Sequence, residues 1–168
     1  MGPTVNTSDS DITICSGDGV LLYLHRTNLE AISGALAAPE FLSTSDDNVV
    51  ALPESSEILG TVFLFIYPNR HPSLRDQDFE TLLEISDAVQ KYEIFAAMNT
   101  CETRLMEAIP MHSTDILLHA LRHNLTDIIN ESVLALCRLP VVQTAELLQP
   151  IDVLPWVSAA MIIWLSNY

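Results

Sequence analysis

The chain has 168 residues, with 22 acidic and seven basic side chains for a formal net charge of −15, and 49% of its residues are apolar. That length suits one domain of ordinary size plus an appendage, and the apolar share is ample for a buried core. The charge argues against nucleic acid and anionic membrane surfaces as partners, because phosphate contacts need clustered Lys and Arg.

The first elements are short. Asp11 to Cys15 is rich in Ile and Thr and alternates in part, which predicts a strand. Ser16-Gly17-Asp18-Gly19 is hairpin chemistry, and Val20 to Leu24 is the return strand. From Arg26 to Ala37, residues Leu29, Ile32, Ser33 and Leu36 recur at helical spacing, and Pro39 ends that helix. A polar loop over 43–48 leads to a third strand at 49–53.

Helices follow. Pro53 to Glu57 carries the signals of a helix start: a proline, small capping residues, then an acid. The helix from Ile58 to Tyr67 is apolar on nearly every side, which predicts burial all round, and Pro68 stops it. After a loop over 69–77, Asp76 or Asp78 opens a helix whose face is Phe79, Leu82, Leu83, Ser86 and Val89. Ile94 to Ile109 makes the next, with Phe95, Met98, Leu105 and Ile109 inward, and Pro110 ends it. Further helices are expected at Ser113–His123, Thr126–Arg138, Thr144–Leu148 and about Pro155–Asn167. Strands gathered early and helices late predict an α+β fold rather than a doubly wound sheet.

The amino-terminal stretch is polar and acidic and does not read as a targeting signal. Asn6 stands where a myristoylation site prefers Ser or Thr. The apolar runs at 58–67 and 153–165 are too short to span a bilayer and read as buried helices. Cys15, Cys101 and Cys137 are odd in number and far apart, so they read as reduced core thiols of a cytoplasmic or nuclear protein. The Asn124-Leu125-Thr126 sequon carries no weight beside that reading.

His119 and His123 sit four apart, with His112 nearby, a spacing that can place two imidazoles on one metal. No Glu follows His119 in the zinc-protease pattern. Their helical angle is shared with Asp115 and Arg122, whereas Ile116, Leu117, Ala120 and Leu121 point elsewhere. The histidines therefore read as part of a solvated face. Cys101 and Cys137 lie among apolar residues, where thiols are inert. The acidic pairs Asp46-Asp47 and Asp9/Asp11 imply no pocket, and Gly17-Asp18-Gly19 does not precede a helix as a phosphate loop would. The expectation is no catalytic constellation, no metal and no cofactor, hence no enzyme.

Ser10-Asp11-Ile12-Thr13-Ile14, a hairpin, then Leu24-His25-Arg26-Thr27-Asn28-Leu29 and Ser33 resemble the start of a BTB/POZ domain. Val50-Ala51-Leu52-Pro53-Glu54 resembles that family's third strand, Phe63-Leu64-Phe65-Ile66-Tyr67 its aromatic helix, and Leu82-Leu83-Glu84-Ile85-Ser86-Asp87 the helix after it. Cys101 and Leu105 match the last pair of positions. Asp115 to Pro140 and Ile151 to Tyr168 resemble the helical extension of single-BTB proteins of mushroom-type fungi. The resemblance implies a disordered segment at 1–9, a BTB/POZ domain at 10–110 with a small three-stranded sheet and a cluster of helices, and an all-helical extension at 111–168.

It also implies a non-enzymatic protein-interaction module. In dimeric members the Asp of the first strand and the Arg of the following helix line a charged pocket, here Asp11 and Arg26. An ion pair there would orient the hairpin against the first helix, with Arg26 held under the strand and His25 as a packed core histidine. The partners implied are protein partners: a second copy, or a cullin scaffold for which the chain would be a ubiquitin-ligase adaptor. Cullin-binding members carry a hydrophobic-x-Glu element, matched by Ala38-Pro39-Glu40, so Glu40 and Tyr67 are the implied cullin-facing positions. From another class, the rival reading is a small metalloenzyme built on His119 and His123.

Overall fold

A computed structural model describes residues 9–36 and 49–138 of the chain. The expectations for residues 1–8, for Glu40 and for the helices at 144–148 and 155–167 lie outside those residues. The chain divides into two compact units, Met1–Cys101 and Glu102–Tyr168. The described residues are α+β, with a three-stranded mixed sheet and five helices.

In the first unit, β1 (Ile12–Cys15) lies between β2 (Leu21–Leu24) and β3 (Val49–Ala51). It pairs antiparallel with β2, Ile12 opposite Leu24, and parallel with β3, Thr13 opposite Val49. Alternation sends Ile12 and Ile14 inward, both essentially inaccessible. The turn closes as expected, with Gly19 N–H donating to Ser16 O at 2.9 Å and Gly19 at φ 80°, a conformation glycine adopts without penalty.

Helix α1 (Arg26–Ile32) is shorter than the expected Arg26–Ala37. Ser33 leaves the helix for extended backbone and bridges to Ile94, and its hydroxyl donates to Tyr92 O at 2.6 Å. A tertiary contact thus outcompetes continued helix at a Ser-Gly pair, a sequence of low helical propensity.

Helix α2 (Ser56–Phe63) begins at Ser55, whose Oγ accepts from Ile58 N–H, and tightens into a single 3-10 turn at Leu64–Ile66. Ile58, Leu59, Val62, Phe63, Phe65 and Ile66 are buried, in keeping with its apolar sequence. Helix α3 (Phe79–Lys91) starts at Asp78, which accepts from Thr81 N–H at 2.9 Å. It ends with Glu93 in the left-handed region (φ 53°), Ile94 N–H reaching back to Val89 O and Glu93 N–H to Gln90 O. That pattern satisfies carbonyls a helix end would otherwise leave open.

Helix α4 (Phe95–His123) carries the chain into the second unit. One helix was expected to end at Pro110 and the next to begin at Ser113; the break between the two falls at His112 (φ −132°, ψ 33°), two residues past the proline. Proline removes one helical donor, which weakens the helix at this point. Asn124 (φ 56°) closes α4, with Leu125 N–H on Ala120 O, and α5 (Thr126–Cys137) follows. Among the described residues of this unit, Leu117, Val133 and Leu136 form a buried cluster, flanked by Leu121 and Ile129.

Three placements differ from expectation. Phe95, expected inward, is 58% exposed. Cys137, expected in the core with Cys101, is exposed, whereas Cys101 is buried and Cys15 half-buried; all three are free thiols. His119, expected on a solvated face, is fully buried. No helix among the described residues is long and apolar enough to cross a membrane.

Candidate interaction site at the hairpin–helix junction

Asp11 and Arg26 meet, but not as an ion pair. Asp11 Oδ1 accepts from the backbone N–H of Arg26 at 2.7 Å. Arg26 is the first residue of α1, so this carboxylate occupies the place of a helix cap supplied from another element. The first turn of a helix presents open N–H groups and a partial positive charge, and both favour an acid there. The expected guanidinium–carboxylate contact is replaced by a backbone one: Asp11 is exposed and Arg26 half-buried.

The adjoining residue joins the remaining groups. His25 Nε2 lies 3.2 Å from Asp9 Oδ1, and His25 Nδ1 lies 3.1 Å from the Tyr67 hydroxyl. The two rings meet edge to face, with centroids 5.8 Å apart. An ionised carboxylate only accepts, so Nε2 carries the proton that Asp9 receives. In the neutral ring Nδ1 then accepts from the phenol. Burial pushes the Tyr67 phenol above its ordinary pKa, aided by the negative charges of Asp9 and Asp11 and opposed by a hydrogen bond from the His25 backbone, which lowers it. A phenol held protonated is a donor and not a nucleophile at neutral pH.

The structure thus brings Asp11, Arg26 and Tyr67 to one junction and leaves Glu40 outside the described residues. Sequence reasoning missed the organising role of His25, taken for a packed core residue, and of Asp9, taken for a tail acid. The available signal was only that both acids lie just ahead of β1, beside the end of β2 where His25 follows.

At the far end of the sheet, Glu54 gathers a second polar cluster. It accepts from Lys91 Nζ at 2.7 Å and from the Tyr92 hydroxyl, and the Lys91 ammonium lies 4.9 Å from the Tyr92 ring centre. Burial would raise the Glu54 pKa, but the hydrogen bonds from Lys91 and Tyr92 outweigh it and hold the carboxyl below its usual value. In the second unit, the rings of His119 and His123 meet at a tilt of 50°, with centroids 4.7 Å apart. No family model matches the chain, and no curated protein matches it.

Proposed function

We propose that the chain is a BTB/POZ-like, non-enzymatic module that works by binding protein, through self-association or by docking a partner. The observation that carries this reading is the character of β2. Among the described residues it lies at the edge of the sheet, its sequence LLYL has no charge, and Leu21 and Tyr23 are 42% and 40% exposed. An edge strand presents backbone donors and acceptors to a further strand, and natural proteins normally guard such an edge with charge or proline. The acidic junction beside it, with Asp9 and Asp11, favours a partner surface that is basic around an apolar strand.

Light scattering over a concentration series, on the full chain and on Leu21→Lys, tests the reading. Association that the substitution weakens without lowering the melting temperature supports it. Capture of a cullin by the unsubstituted chain assigns the partner and makes the chain a ubiquitin-ligase adaptor. A monomer at every concentration that captures no cullin defeats both forms. Stoichiometric zinc in the purified protein, lost in His119→Ala or His123→Ala, favours the metalloenzyme reading instead.

A further inference from the structure

The second unit contains an open cleft of about 480 Å³ between α4 and α5. Met106, Ile109 and Pro110 line it from α4, and Glu131, Ala135 and Arg138 from α5. Seven residues of helix make nearly two full turns, so Glu131 and Arg138 share one face of α5, about 10 Å apart along its axis. Leu134 and Ala135 fall between them on that side and are half-buried, while both charged side chains are exposed. Among the described residues, neither Glu131 nor Arg138 takes part in an ion pair. The face has a carboxylate at one end, a guanidinium at the other and an apolar middle that includes a small side chain.

That pattern is its own complement. In a two-fold contact between identical chains, residue i meets j and j meets i. A helical stripe matches itself only if its charges are opposite in sign and equally placed about the middle. On α5 the middle of Glu131 and Arg138 lies between positions 134 and 135. A second α5, turned end over end about that point, sets its Arg138 against Glu131 and its Glu131 against Arg138. Ala135 lets the two helix axes come close, and antiparallel helices bring opposite dipole ends together. Met106, Ile109 and Pro110 add apolar surface beside the incoming helix, as in a helix-in-groove contact. Each chain carries a net charge of −15, but at physiological salt charges more than about 8 Å apart are largely screened. Within that distance the contact places unlike charges together. A small acid or amine in the cleft would answer only one of the two.

We propose that this face of α5 is a self-association surface. The α5 helix of a second copy lies antiparallel in the cleft, and Glu131 and Arg138 of each chain pair with Arg138 and Glu131 of the other. The contact is independent of the β2 edge and adds to it.

Sedimentation velocity of the full chain over a concentration series, at physiological salt, tests this. Glu131→Arg and Arg138→Glu are each expected to weaken association roughly ten-fold or more, because each sets like charges face to face. The first makes the chain less acidic and the second more so, and a loss in both therefore does not come from overall repulsion. The double variant Glu131→Arg/Arg138→Glu is expected to regain association. An equal mixture of the two single variants is expected to form a mixed dimer, since one presents two guanidiniums and the other two carboxylates. Both recoveries also show that the variants fold. The inference is overturned by a monomer at every concentration, by association that neither reversal weakens, or by reversals that neither the double variant nor the mixture repairs. Leu21→Lys separates this contact from the one at β2. Association lost in Leu21→Lys and kept in both reversals leaves the β2 reading standing and overturns this one. Association kept in Leu21→Lys and lost in both reversals does the opposite.

Discussion

Asp18, in the hairpin turn, holds Ser56 with both carboxylate oxygens: Oδ1 accepts from the backbone N–H at 2.9 Å and Oδ2 from the hydroxyl at 2.7 Å. Ser56 is the first residue of α2, as Arg26 is of α1. The two ends of the β1–β2 hairpin therefore each supply an aspartate to a helix start, Asp11 at one end and Asp18 at the other. The sheet positions both helices by polar contacts made at its ends, while Ile12 and Ile14 are buried on its inner face.

The Asp18 contact makes stability depend on pH. Hydrogen bonds from Ser16 and Ser56 hold the Asp18 carboxyl below its ordinary value. A carboxyl depressed by folding stabilises above its unfolded pKa of about 3.9, and the stabilisation is lost as pH falls through the folded value. Asp18→Asn is expected to lower the melting temperature at pH 7 and to flatten its decline below about pH 4. Some acid sensitivity remains, because Asp78 and Glu54 are depressed too. Thermal unfolding of both proteins from pH 7 to pH 2.5 checks this.

Tyr92→Phe is expected to cost about 1–2 kcal/mol, since it removes a hydrogen bond to the ionised Glu54 while keeping the ring. Burial and the neighbouring Glu54 raise the Tyr92 phenol far above its ordinary value. The folded state therefore loses stability above about pH 10, where the unfolded phenol ionises, and Tyr92→Phe is expected to reduce that loss. Lys91→Ala is expected to cost less, under about 1 kcal/mol, because the lysine side chain is about half exposed. Urea titrations at pH 7 and pH 10.5 give both comparisons.

Two glycines should respond to alanine with opposite signs. A Cβ on Gly17 would lie 2.2 Å from Pro53 O, a backbone atom, at the point where Gly17 N–H donates to Glu54 O. The sheet and the start of α2 would have to separate, so Gly17→Ala is expected to destabilise by about 1–3 kcal/mol. A Cβ on Gly60, inside α2, meets nothing within 4 Å. Gly60→Ala is expected to stabilise by about 0.5–1 kcal/mol through helix propensity alone. Chemical denaturation measures each.

The three thiols should titrate in order of exposure. Cys137 is exposed, Cys15 half-buried and Cys101 buried. A thiol reagent applied to the native protein is expected to modify Cys137 first and Cys101 only on unfolding. Mass spectrometry of a time course shows the order, and fast modification of Cys101 would contradict its placement.

Much of the fold was legible because its signals are local. Gly-Asp-Gly makes a hairpin through backbone freedom, and Asp78 and Ser55 start helices by accepting from open N–H groups three residues on. The alternation of Ile12 and Ile14 points one face of a strand inward whatever lies opposite. The candidate junction was half legible. Asp11, Arg26 and Tyr67 stood out, but His25, which links Asp9 to Tyr67, looks the same in sequence whether it packs or bridges.

The chain order of strands and helices, their capped starts and the apolar run through α2 were determined by the sequence, because each rests on neighbours a few residues apart. Tertiary structure decided the rest. The docking of Ser33 on Tyr92 and Ile94 ended α1 early, and the surroundings of α4 and α5 buried His119 while leaving Phe95 and Cys137 in water. Helical periodicity gives the angle between two side chains but not which side another element will cover, and that covering is set by residues far away in the chain.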